Sequence, residues 1–262
     1  MGDLRAPYVV PLGVSPALPE PGESNTYLAV VRAGRYWLVD CAGAPIQSLG
    51  TAGLDPLMVQ GIFITHFHPD HVYGFPAFLL GLFLLAQVRD YAWIDPLMVY
   101  ARPEVLAQVQ SLVNLFAGQG WLEELPLRYR EVAPQLHAPV AQTQDFIVTA
   151  APACHSVPAL AVRFASRDTG RAFVYSGDTA DCEEVEQLAT GARLLIHEAS
   201  GAGYGHSDGV WAAAVAARAG VERLGLIHYP RDAEANTRMM AEVHKVFDGP
   251  AELMRPYVRY AW

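Results

Sequence analysis

Short apolar runs punctuated by Gly, Pro, Asp or Arg recur along the chain. They read TYLAVVRA, RYWLVDC, GIFITH, LMVYAR, FIVTAAP, LAVRFAS, RAFVYSGD, RLLIHEA and RLGLIHY. Runs of this length, dense in β-branched and aromatic residues, read as strands. Helical patterns separate several of them. Asp181 to Ala189 opens on acidic residues and stops at Gly191, and the alanine-rich stretch from Gly209 to Ala219 stops at Gly220. Val72 to Val88, VYGFPAFLLGLFLLAQV, is apolar throughout. Gly74, Pro76 and Gly81 interrupt it, and it falls short of the roughly 20 apolar residues a membrane span needs. It predicts a helix buried on most sides, with a dimer interface as the alternative and no membrane contact. Strands mixed with such helices predict an α/β fold with helices on the outer faces of the sheet. No repeat, low-complexity tract or charged linker divides the chain, so a single domain over 1–262 is expected, with room for two similar halves within it.

Polar chemistry is concentrated where the strand patterns end. GIFIT runs into His66-Phe67-His68-Pro69-Asp70-His71, FIVTAAPAC reaches His155, and RAFVYSG reaches Asp178. RLLI leads to His197-Glu198, and RLGLI to His228. Carboxyl ends of strands in α/β sheets are where loops converge into a crevice. In HFHPDH, His66 and His68 alternate along extended chain and can share one cation, while Asp70 and His71, beyond the Pro69 bend, can reach a second. Imidazole and carboxylate ligands suit Zn²⁺, and also Mn²⁺ or Fe²⁺; without cysteine ligands the pattern is not that of a closed structural zinc site. Asp40 also follows a strand, but as a single carboxylate it is expected to anchor a loop or support a neighbour. His197 is expected to be structural or to orient a ligand. His137 and His244 are expected at the surface, and Cys154 in packing.

Composition narrows the function. The 262 residues are 52% hydrophobic and 17% charged, with a formal net charge of −9. That is the make-up of a globular protein without a basic field for a long polyanion. Lys245 is the only lysine. Cys41, Cys154 and Cys182 are far apart and form no CxxC pair, which predicts neither a disulfide framework nor a zinc finger and suits a reducing compartment. The N-terminal segment, with Asp3 and several prolines, lacks the apolar region of a signal peptide, so a cytoplasmic protein is expected.

The Thr65 to His71 segment, THFHPDH, resembles the signature of the metallo-β-lactamase superfamily. Within that superfamily the chain is most similar to the ribonuclease Z-like branch, through YWLVDC, APACHSVPALAVRF, YSGDT, the HEA…HS segment and RLGLIHYP. The resemblance covers nearly the whole chain and implies a four-layer αββα sandwich. It also implies His66, His68 and His155 on one divalent metal ion, with Asp70, His71 and His228 on another and Asp178 bridging both. Two such ions can share a hydroxide and serve an in-line displacement at phosphorus. The resemblance further implies catalytic parts for Asp70, Glu198 and His206, the last two as a carboxylate–imidazole pair beside the leaving oxygen. Here the segments read His197-Glu198-Ala199-Ser200 and His206-Ser207-Asp208, with Ser200 and Asp208 where the branch carries threonine. A helix cap at Ser207 or Asp208, with His206 merely at the surface, is the competing reading.

The expected function is a dinuclear metal-dependent hydrolase, a phosphodiesterase acting on a small or unstructured phosphodiester. Ribonuclease Z carries an arm that grips transfer RNA, inserted between the positions of His155 and Asp178. Here a hairpin, LAVRFAS and RAFVYS around Arg167 to Gly170, fills that interval. No stable nucleic-acid complex is therefore expected. The alternatives are a transfer RNA 3′-processing endonuclease, a lactone, sulfate-ester or thioester hydrolase of the same fold, and a non-catalytic metal-binding protein.

Overall fold

The computed structural model describes residues 6–116 and 120–262; Asp3 of the N-terminal segment lies outside the described residues. The first half of the chain builds one mixed sheet. Its strands are β1 (Tyr8–Gly13), β2 (Tyr27–Arg32), β3 (Arg35–Val39), β4 (Val59–Phe63), β5 (Leu97–Ala101) and β6 (Leu127–Glu131). Helices α1 (Pro45–Thr51), α2 (Pro69–Val72), α3 (Phe75–Val88) and α4 (Pro103–Phe116) lie between them. The second half builds β7 (Ala138–Gln142), β8 (Phe146–Ala153), β9 (Ala159–Ser166), β10 (Ala172–Tyr175), β11 (Leu194–Glu198), β12 (Leu224–Ile227) and β13 (Ala251–Leu253). Its helices are α5 (Glu183–Ala189), α6 (Gly209–Arg218) and α7 (Ala233–Val246). The last strand, β14 (Tyr260–Ala261), crosses back to the first sheet, giving orders β14-β1-β2-β3-β4-β5-β6 and β13-β12-β11-β10-β9-β8-β7.

Strand alternation separates the layers. In β2, Leu28 and Val30 face the space between the sheets, while Tyr27, Ala29 and Val31 pack under α1, α3 and α4. The same switch occurs in β3, with Trp37 and Val39 inward and Tyr36 and Leu38 toward the helices. Helices α5 and α6 cover the far face of the second sheet through Val185, Leu188, Ala212 and Val215. The architecture is the expected αββα sandwich. Burial on both faces explains why the sequence shows continuous apolar runs rather than alternation.

All nine strand patterns form strands. The hairpin expected between His155 and Asp178 is the antiparallel pair β9–β10, turning through Arg167–Gly170. Helix α3 departs from expectation in its exposure. Phe75, Phe78, Leu79, Leu82 and Ala86 are buried, and Gly81 admits Ile46 of α1 to a distance where a Cβ would sit 2.5 Å away. Leu80, Leu84 and Val88, spaced four apart, are exposed, rising to 83% at Val88. The helix is therefore buried on one side only. The stretch Pro69–Val88 is long and apolar enough by length and composition to cross a membrane, and 50% of its most apolar window is buried inside the protein.

The cysteines also depart from expectation. Cys154 and Cys182, separated by 28 residues, are joined in a disulfide with Cα atoms 5.6 Å apart, and Cys154 is exposed rather than packed. Linear spacing hid the pair, because β9 and β10 fold the chain back on itself between them. Cys41 is buried and free.

Candidate metal centre

Strands β3, β4, β5 and β6 run parallel in one sheet, and β10, β11, β12 and β13 run parallel in the other. Their carboxyl ends meet at one edge of the sandwich. Two backbone hydrogen bonds fasten the sheets there: the Leu160 N–H donates to Thr65 O at 3.0 Å, and the His228 N–H donates to Val14 O at 2.9 Å. Three strand exits turn through left-handed backbone, at Asp40 (φ 61°), Gly177 (φ 61°) and His228 (φ 58°). For Asp and His that conformation costs energy, and the surrounding hydrogen bonds hold it.

This edge collects every residue expected to bind metal. Ligand atoms of His66, His68, His155 and Asp178 lie within 4.8 Å of one another, as do those of Asp70, His71 and His228. Asp178 stands between the groups. Its Oδ2 is 3.8 Å from His66 Nε2, 3.4 Å from His71 Nε2 and 3.4 Å from His228 Nε2. Asp70 Oδ2 approaches His71 Nε2 to 3.5 Å.

The imidazole partners decide which nitrogen faces inward. His155 Nδ1 is 2.7 Å from Gly205 O, and a carbonyl can only accept, so Nδ1 carries the proton and Nε2 a lone pair. Thr65 Oγ1 donates to the Asp40 carboxylate (2.9 Å), so His66 Nδ1 donates to Thr65 Oγ1 (2.9 Å) and its Nε2 keeps a lone pair. Thr26 Oγ1 donates to Ser15 O and accepts from His228 Nδ1 at 3.1 Å. His71 Nδ1 sits 2.8 Å from Asp40 Oδ2. Four Nε2 atoms are thus turned toward the centre, each with its other nitrogen held by a polar group, which is the arrangement that fixes metal-binding histidines.

These donors fit divalent cations. His68 Nδ1 lies 3.1 Å from both His66 Nε2 and His155 Nε2, and a single shared proton cannot satisfy three facing nitrogens. His71 Nε2 and Asp178 Oδ1 are buried without hydrogen-bond partners. Burial holds His66, His68 and His228 below the ordinary imidazole value, as lone-pair donors. Burial also pushes Asp178 up, but the His228 and His71 imidazoles outweigh it and keep the carboxylate well below its usual range. Burial opposes a proton on His71, yet Asp178 and Asp40 raise it well above the ordinary value; that proton is what a cation would displace.

A second constellation adjoins the first. Glu198 is fully buried at the end of β11 and accepts five hydrogen bonds. Its Oε1 takes Thr179 N–H (3.2 Å), Ser207 N–H (3.0 Å) and His206 Nδ1 (2.9 Å). Its Oε2 takes the Ser200 N–H and hydroxyl, both at 2.9 Å. Ser200 therefore keeps the hydroxyl contact. Asp208 does not intrude, because its side chain caps α6 by accepting from Trp211 N–H at 2.8 Å. The cap and the carboxylate–imidazole pair coexist. The Glu198 hydrogen bond raises His206 above the ordinary imidazole value, against a smaller opposing effect of burial. His206 is 24% exposed at its side chain, and its Nδ1 lies 3.9 Å from Asp178 Oδ2.

Other residues fall outside the centre. His197 is buried and points away, its Nδ1 on Glu198 O at 2.8 Å. His137 and His244 are exposed. Asp40 is not a lone carboxylate, since it holds both His71 and the Thr65 N–H (2.8 Å). Sequence reasoning passed over Thr26, Thr179 and Gly205. Thr179 lies inside the YSGDT segment and Gly205 inside a glycine-rich loop, so both left a trace; Thr26 left none. A Cβ on Gly205 would stand 2.7 Å from Ser156 N and 2.9 Å from His155 Nδ1, at φ 85°.

Comparison with known proteins agrees with this architecture. Residues 38–229 match the family model described as a beta-lactamase superfamily domain. Ribonuclease Z of Methanothermobacter thermautotrophicus is 29% identical over 272 aligned positions, covering 83% of this chain and 84% of that protein. Ribonuclease Z of Synechococcus sp. is 30% identical over 301 positions, covering 90% of this chain and 93% of that protein. The metallo-beta-lactamase fold protein YhfI from Bacillus subtilis superposes with a TM-score of 0.82 at 20% identity, over 98% of this chain and 100% of its own. The chain belongs to the metallo-β-lactamase superfamily, in its ribonuclease Z-like branch, and is a metal-dependent hydrolase.

Proposed function

We propose that the protein hydrolyses phosphodiesters of small or unstructured substrates at this edge, with Zn²⁺ as the metal and Mn²⁺ or Fe²⁺ as substitutes. The observation that carries the reading is the Glu198–His206 pair placed beside the seven-residue cluster. His66, His68 and His155 would hold one cation and Asp70, His71 and His228 another, with Asp178 between. Divalent cations there would polarise a phosphoryl oxygen and acidify bound water. The chain's own part is to orient and to move a proton. Glu198 occupies His206 Nδ1, which leaves Nε2 to donate to the departing oxygen. Five accepted hydrogen bonds fix the Glu198 carboxylate, so the imidazole it orients is fixed as well. An alkoxide leaving group needs that proton, whereas lactones and thioesters need it less.

The small-substrate reading is supported by the interval between His155 and Asp178. The β9–β10 hairpin fills it, where ribonuclease Z carries the arm that grips transfer RNA. The aligned spans of 272 and 301 positions exceed the 262 residues of this chain, so the ribonuclease Z relatives carry segments absent here. A charge of −9 also gives little counterion-release affinity for a long polyanion. The relatives' name favours transfer RNA 3′-end processing as a second reading. Metal-loaded protein assayed with bis(p-nitrophenyl) phosphate, precursor transfer RNA and a lactone panel separates the readings. Phosphodiester turnover alone is expected. Lactone turnover with inert phosphodiesters would reverse the assignment, and cleavage of precursor transfer RNA in preference to the small ester would select the second reading. The exposed Leu80, Leu84 and Val88 row further suggests a homodimer through α3.

A further inference from the structure

The Cys154–Cys182 pair is outside the machinery just described, yet it touches that machinery at two points. Cys154 immediately precedes His155, and Cys182 lies four residues beyond Asp178. The segments bearing these two residues are already cross-bonded. The Cys154 N–H donates to Thr179 Oγ1 at 3.0 Å, and the Ala180 N–H donates to Cys154 O at 2.9 Å. Thr179 in turn donates its N–H to Glu198 Oε1 and accepts from Ser207 Oγ at 2.8 Å through its carbonyl. One short stretch therefore joins His155, Asp178, Glu198 and His206.

The two cysteines differ in access. Cys154 is exposed, whereas Cys182 is 3% exposed, at the start of α5. Their Cα atoms, 5.6 Å apart, lie at the favoured separation for a disulfide. An exposed sulfur backed by a buried one is the arrangement of an attacking thiol with a resolving partner.

We propose that Cys154 and Cys182 form a reversible thiol–disulfide site that locks the His155 and Asp178 segments together, with a low-molecular-weight disulfide as oxidant. The proposal rests on the metal-centre reading. Cys154 Sγ attacks the small disulfide and releases one small thiol. Cys182 Sγ then attacks Cys154 Sγ in the mixed disulfide and releases the second. The two protons lost by the cysteines end on the two small thiols, so two cysteine thiols are oxidised as one small disulfide is reduced. Closing the bond ties the segments carrying two ligands, and opening it leaves their alignment to hydrogen bonds alone.

The test uses the full chain, loaded with Zn²⁺ after complete reduction, with and without oxidised glutathione. Alkylation of the denatured protein and mass spectrometry should show reactive thiols falling from three to one, with Cys41 the survivor and a peptide cross-linked through Cys154 and Cys182. Zinc transfer to a chromophoric chelator should be about tenfold slower from the oxidised form, the lower end of what groups that orient metal ligands contribute. Dithiothreitol should restore the faster rate. Cys154→Ser should release zinc at the reduced rate under both conditions, and Cys182→Ala should repeat this if folding survives. A mixed disulfide persisting at Cys154, or equal release rates in both forms, would overturn the lock. So would a further zinc ion held by the two thiols and Glu184 that blocks oxidation. Protein that binds no divalent cation even when fully reduced would sink the metal-centre reading itself, an outcome recognisable because it does not depend on the oxidant.

Discussion

At the scale of single residues, the inner nitrogens depend on groups that never touch a cation. Asp40 holds His71 and Thr65, and Thr65 in turn accepts from His66. Asp40→Asn is expected to weaken metal affinity 10–100-fold, measured by titration against a competing chelator, while the fold persists. The Glu198–His206 pair has a pH consequence. Glu198 raises His206, so the imidazolium is fully present below the ordinary value of about 6.5 and is lost only as pH climbs through the higher folded value. The falling, alkaline limb of kcat should therefore lie above 6.5 in the native enzyme. Glu198→Gln should move that limb to lower pH and reduce kcat more than it changes KM; an unmoved limb would remove His206 as the proton donor. The candidate ligands were legible in the sequence because HFHPDH and the strand-end His and Asp residues stand out by residue type and position, and the family resemblance implied their grouping. Thr26 was not, because its meaning arises only when β2 and the end of β12 meet, 202 residues apart along the chain.

Among elements, legibility followed the continuity of apolar sequence rather than burial. Uninterrupted runs announced themselves as strands, even the alternately exposed β8, whereas the buried β1 is broken by Pro11 and β7, at the edge of its sheet, carries Pro139. β6 alternates through Arg128 and Arg130, and β13 and β14 have three and two residues, too short to show a period. Helix α3 departed in the opposite direction: its uniform apolarity predicted burial on most sides, but Leu80, Leu84 and Val88 have no cover among the described residues, which leaves the dimer alternative. If a second copy supplies that cover, Leu84→Glu with Val88→Glu should convert a dimer to a monomer in sedimentation velocity, with little change in melting temperature. Hairpin β9–β10 was legible for a different reason, since the short polar turn between two apolar runs leaves the chain no other course.

For the molecule as a whole, the centre draws His66, His68, Asp70 and His71 from one sheet and His155, Asp178 and His228 from the other. Cations that bind only this assembled arrangement stabilise it by mass action, by about 2.7 kcal/mol when free metal is a hundredfold above Kd. Chelation should therefore lower the melting temperature by several degrees in calorimetry, and Asp178→Asn protein should show a much smaller shift. No local segment can form the centre early, because its two halves come from strands that associate only when the sheets stack. Acquisition of metal during refolding thus becomes a clock for the last long-range docking step: a chromogenic cation should be captured with the slow phase in which the two halves find each other, and never with the faster growth of either half alone.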